Sequence, residues 1–143
     1  MADLSAFQAA VRNLLVANGT ITAIVPAGRI VDGYSMKETA FPRIGLFDGG
    51  ATPDHVDQGI RWAHFANLGI QIETQEDGST TKHRTQIRTL AGAVFDAIDG
   101  KGISPTGWRE TQVRVTDERP IARFDDVGVL SKVLTVEAEL QPA

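Results

Sequence analysis

The sequence predicts an α+β fold: a largely antiparallel (mixed) sheet with two packed helices, in the order α-β-β-β-α-β-β. Three patterns predict it. Residues 82–98 place apolar side chains at helical spacing, residues 60–74 alternate apolar and polar for longer than most strands, and Val127–Leu140 alternates again. Helical and strand periods thus occupy separate segments, which suits helices laid on a sheet better than a βαβ repeat.

Leu4, Phe7, Val11, Leu14 and Leu15 form the stripe of a first helix, with Asp3 as its N-cap and Asn18-Gly19 as its stop. Thr20–Val25 is too short to classify beyond one helical turn ended by Pro26. Two short apolar runs, Arg29–Val31 and Arg43–Phe47, are bounded by Gly or Pro as strands are. The polar stretch GGATPDHVDQG (49–59) reads as a loop. Beyond it Trp62, His64, Ala66, Leu68, Ile70 and Ile72 share one face, opposite Arg61, Asn67, Gln71 and Glu73. Such a strand spans about 45 Å at ~3.3 Å per residue. Its excess over ordinary strand length should project past the core as a hairpin arm or a surface for a neighbour.

Ser79 or Thr80 starts the second helix, in which Ile87, Leu90, Ala91, Val94, Phe95 and Ile98 make the buried stripe and Asp99-Gly100 the stop. KGISPTG is a loop; Trp108–Thr116 and Val127–Leu140 are strands joined by DERPIARFDD. No linker, repeat or low-complexity segment divides residues 1–143, so one domain is expected. A chain of this size buries about 68 % of its unfolded surface, enough for a core.

Composition narrows the chemistry. There is no cysteine, which excludes disulfides and thiolate metal sites, and no apolar run approaches the ~18 residues of a membrane span. The N-terminus lacks the pattern of a signal peptide, and a soluble intracellular domain is expected. The net charge of −4 argues against a surface built to grip DNA. Gly45, Gly49 and Gly50 match neither phosphate-loop spacing, and no helix follows them; with Gly28 and Gly33 they punctuate turns. His55, Asp57, His64 and His83 have no metal-site spacing, no serine lies in a nucleophile elbow, and the carboxylates of Asp125-Asp126 point apart on a strand. Lys82, His83, Arg84 and Arg88 make a basic helix start, read as a solvated helix back. No catalytic, cofactor-binding or metal-binding residue is assigned, and no cofactor is expected.

The order of parts carries a resemblance. An amphipathic helix leads to PAGRIVDG (26–33), then AFPRI (40–44), a polar loop, a long strand ending IQIET (70–74), the helix KHRTQIRTLAGAV (82–94) and two strands. From about Phe7 to Leu140 this resembles the tail-completion or tail-terminator family of long-tailed bacteriophages and gene transfer agents. The resemblance implies a structural virion protein at the tail–neck junction, assembled in the host bacterial cytoplasm. Such a protein forms a ring, usually of six subunits, on the head-proximal end of the tail tube. The ring stops tube polymerisation and meets the neck or head-completion proteins, and DNA passes through its lumen unread. A head-completion or connector ring is the alternative, followed by a small enzyme or ligand-binding domain. Asp54, His55 and Asp57 in the loop 49–59, the adjoining Arg61 and Trp62, and Arg119, Arg123, Asp125 and Asp126 in the loop 117–128 are the candidate subunit and partner contacts.

Overall fold

The computed structural model describes residues 4–56, 61–75, 80–124 and 128–143. Helices α1 (Ser5–Val16) and α2 (Gly19–Ile24) come first, and α3 (Thr80–Ile98) lies mid-chain. The strands are β1 (Ile30–Asp32), β2 (Arg43–Val56), β3 (Arg61–Gln75), β4 (Gly102–Ile103), β5 (Thr111–Gln112), β6 (Arg114–Glu118), β7 (Ala122–Phe124) and β8 (Val129–Leu140). The main sheet runs β1-β2-β3-β8-β6, with β7 also on β8, and β4-β5 form a separate ribbon. All pairs are antiparallel except β1 with β2, so the mixed α+β expectation holds.

The alternation in β3 fixes which face is buried. Ala66, Leu68, Ile70 and Ile72 point to the helices and are shielded, meeting Leu134, Val136 and Ala138 of β8 at neighbouring register positions. Phe7, Val11 and Leu15 of α1 and Ile87, Leu90, Val94 and Ile98 of α3 close the same cluster. Burial of this apolar surface is the main driving force for the arrangement. Phe95 departs from the expected stripe: it sits at the margin of the helix face and is 36 % exposed.

Other departures follow from short-range chemistry. The helical turn expected in Thr20–Val25 is the short helix α2, Gly19–Ile24, because Asn18 starts it: its side chain accepts from the Ile21 N–H. Asn18 therefore caps α2 and does not merely stop α1, while Asp3 lies outside the described residues. Asn18→Ala is expected to cost about 1 kcal/mol in urea denaturation, since one N-terminal donor loses its acceptor. The stretch 49–59 is not a loop as far as Val56, because β2 continues to that residue. Gly49 and Gly50 accommodate a bulge between Asp48 and Ala51, where Gly50 takes φ +84° and donates its N–H to Asp48 Oδ1. The expected strand Trp108–Thr116 splits into β5 and β6, with Trp108 only bridging Pro142, and the DERPIARFDD connection contains β7.

The length of β3 is absorbed differently from expectation. β8 pairs with it from His64 to Gln75, so most of the strand lies inside the sheet. Only Arg61–Ala63 run on beyond β8, paired with β2 alone.

Candidate interface edges

The sheet ends in two unlike edges. β1 covers the outer side of β2 at Ile44–Leu46, and from Phe47 to Val56 β2 pairs only with β3. On the far side β6 and β7 lie end to end along β8, and among the described residues nothing pairs with their outer side. Each edge presents backbone N–H and C=O groups without a strand partner, the condition for adding a strand from another molecule.

The sequence-selected contacts divide between these edges. Asp54, His55, Arg61 and Trp62 occupy the end of the β2–β3 hairpin, where Asp54 faces Ala63 and His55 faces Trp62 in register; their side chains lie outside the described set. Asp57, Asp125 and Asp126 lie outside the described residues altogether. Arg119 and Arg123 are exposed on the opposite edge, Arg123 within β7 and Arg119 in the turn before it, so 117–128 is not simply a loop. These residues are thus not one surface. They mark the two ends of the strand order.

Charge differs between the edges on the helix side of the sheet. A surface hollow of about 220 Å³ is lined by Arg84 and Arg88 of α3, Arg123 of β7, Ile121 and Leu130. Three guanidiniums so gather over an apolar floor in a chain of net charge −4. In the basic helix start Arg84 and Arg88 are exposed, as a solvated helix back requires, whereas His83 is buried. Across the sheet stand Asp32 at the end of β1 and Asp48 in β2, both exposed. The Tyr34 backbone N–H, then the Gln8 side chain, hold the Asp32 carboxyl below its ordinary range. Arg12 and Arg29 also lie on this side, with their guanidiniums directed at the carbonyls of Ile30, Ala27 and Phe41.

The face of the sheet away from the helices carries a second hollow, about 490 Å³, among Phe65, Arg114, Thr116, Glu137 and Glu139. Phe47 and Phe65 are half-exposed on it, and Tyr34 is 98 % exposed beside them. The Gly33 backbone lies against the Phe47 ring, which a Cβ at that position would displace. A buried ion pair joins Arg43 Nε to Glu73 Oε1 at 2.9 Å across these strands. Gln71 Nε2 also donates to Glu73, Arg43 donates to the Thr39 carbonyl, and its guanidinium lies 4.0 Å from the Phe41 ring centre.

Among the described residues no three His, Asp or Glu side chains converge as metal ligands. His64 packs edge-on against Trp108, ring centres 5.6 Å apart, as an interior histidine does. No helix of the described residues is long and apolar enough to cross a membrane. Asp32, Asp48 and Tyr34 escaped selection from the sequence; their only local signals are turn positions. The approach of Arg123 to Arg84 and Arg88 joins residues far apart in the chain and has no local signal.

Comparison with known proteins agrees with an assembly role. A solved chain from the "Virion of native gene transfer agent (GTA) particle" superposes with a TM-score of 0.71 at 17 % identity, covering 94 % of this chain and 93 % of that one. A second solved chain matches with a TM-score of 0.55 at 13 % identity over 100 % of this chain and 99 % of that one. At such identities the likeness establishes a shared fold. No curated protein sequence matches. The family model described as "Tail completion protein gp17" matches residues 9–137, nearly the whole length, and the chain belongs to that family.

Proposed function

We propose that this tail completion protein is a tail terminator, a ring of subunits that caps the head-proximal end of the tail tube. The observation that carries the reading is the pair of unlike sheet edges in a member of this family. A contact between two different surfaces of the same subunit is heterologous, and it makes a ring when its rotation closes. The β2 edge beyond Leu46 and the β6–β7 edge are such a pair. The ring is taken as six subunits from the family resemblance. It stops tube growth by covering the last tube ring and offers its other face to neck or head-completion proteins.

Six copies at −4 each would carry about −24. Net negative charge lets DNA pass through the lumen without being gripped, because binding requires phosphate neutralisation. The reading assigns no reaction and no cofactor to the chain, and it places the protein in the virion after assembly in the host cytoplasm.

The test is genetic and visual. Particles made without the gene should show tails of uncontrolled, excessive length by electron microscopy, and the purified protein should form a closed oligomer by native mass spectrometry, alone or with tube protein. Filled tailless heads beside tails of normal length would instead make the chain a connector of the neck.

A further inference from the structure

We infer that the hollow formed by Arg84, Arg88 and Arg123 receives the acidic β1–β2 edge of a second copy of this chain, with the strands staggered and not level. The inference rests on the ring reading and names the surfaces that would close it.

Side and register both support the pairing. Asp48 stands level with Leu68, and Arg123 level with Leu130; both partners face the helices. Asp32 accepts from Gln8 of α1, so it too lies on the helix side. The carboxylates and the guanidiniums therefore emerge on the same side of the sheet. β2 runs parallel to β8, whereas β6 and β7 run antiparallel to it. A sheet continued into the next subunit in the same orientation thus sets β2 antiparallel to β6–β7.

Charge then selects the register. Through β3, Asp48 is level with Val136, and on the opposite edge Val115 pairs with Val136 while Asp117 and Glu118 pair with Thr135 and Leu134. Level joining would set Asp48 opposite Val115, with Asp117 turned to the other face and Glu118, two positions along on the same face, as a like charge at a diagonal position. Sliding β2 toward the β7 end by six positions, roughly 20 Å at ~3.3 Å per residue, carries Asp48 to Arg123. Asp32 follows toward the same hollow. Up to three guanidiniums then stand beside two carboxylates, and charge-assisted pairs of this kind are the strong ones, outweighing the one like pair that the slide makes, Asp54 level with Asp117. A stagger between neighbouring strands is also what closing a sheet on itself demands.

Two variants test the faces. Arg84→Glu/Arg88→Glu removes the receiving face and Asp32→Lys/Asp48→Lys the inserting face. By native mass spectrometry each alone should stay monomeric at concentrations at least tenfold above those at which the wild type assembles. An equimolar mixture should assemble again with the two variants alternating, because the reversed faces complement each other as the unreversed ones do. That recovery also shows both variants to be folded; where a reversal melts the protein by circular dichroism, Arg84→Gln/Arg88→Gln and Asp32→Asn/Asp48→Asn take its place, and their mixture should stop at a 1:1 dimer. Wild-type rings with either variant still assembling as before would overturn the inference and leave the ring reading standing. So would monomeric, folded variants that fail to assemble when mixed, or an Arg variant that keeps its ring and loses only retention of short duplex DNA. A wild type that stays monomeric with tube protein present would overturn both.

The register has its own test, since the chain has no cysteine. Under mild oxidation Asp48→Cys/Arg123→Cys should give a ladder of covalent oligomers, and Asp48→Cys/Val115→Cys, which reports the level register, should not. The opposite result would overturn the stagger.

Discussion

Arg43→Ala is expected to lower the stability of the fold by about 3–5 kcal/mol, a fall in Tm of about 10–20 °C for a chain of this size. Arg43 and Glu73 face each other in register across β2 and β3, with side chains only 13 % and 10 % exposed. Removing the guanidinium leaves the Glu73 carboxylate with the Gln71 amide as its remaining side-chain donor, and an uncompensated buried charge is costly. The variant also loses the bond to the Thr39 carbonyl and the stacking on Phe41, which tie the approach to β2 down onto the sheet. The comparison that isolates the mechanism is Arg43→Met/Glu73→Leu, which should lie close to the wild type in urea denaturation with an unchanged m-value. If the single and double variants lose stability equally, packing and not charge would explain the site.

The helices α1 and α3 and the strand β3 are legible in the sequence because their periods are long and set by one buried face: Val11 and Leu15, Leu90 and Val94, Leu68 and Ile70 all repeat at the spacing of their element. Elements decided by other forces were not. The latter half of β2 looks like a loop because Gly49, Gly50 and Pro53 are turn formers, yet pairing with β3 overrides that preference and the glycines accommodate a bulge. β7 has only Ala122–Phe124, all exposed, and exists because β8 offers it a ladder. The family resemblance led correctly to tail completion, since order and spacing survive where local motifs are absent. Of the candidate contacts, Asp54, His55, Arg61, Trp62, Arg119 and Arg123 have defined positions along the sheet. Nothing local indicates that Arg119 and Arg123 stand on the opposite edge from Asp54 and His55, or that Arg123 meets Arg84 and Arg88, because strand order is a long-range property.

The two faces of β3 should answer substitution very differently, and the contrast bears on function. Ile70 has no exposed surface and sits between Leu46 and Leu134 in register, under the helices. Ile70→Ala is expected to cost about 3–4 kcal/mol, from lost transfer energy and a cavity that a paired central strand cannot close. Five residues earlier, Phe65 points to the other face, level with Glu139, and is 42 % exposed. Phe65→Ser should cost less, about 1–2 kcal/mol, since 42 % of the residue stays exposed after folding. Both values can be read from urea denaturation of the isolated protein, and a cost above about 2 kcal/mol for Phe65→Ser would show that ring to be part of the core. If Phe65→Ser leaves the fold intact yet weakens assembly with tube or neck proteins, the open sheet face carries a partner contact. Ile70→Ala should impair assembly only as far as it depletes the folded subunit, so its defect, unlike that of Phe65→Ser, should shrink on cooling to the temperature of greatest stability.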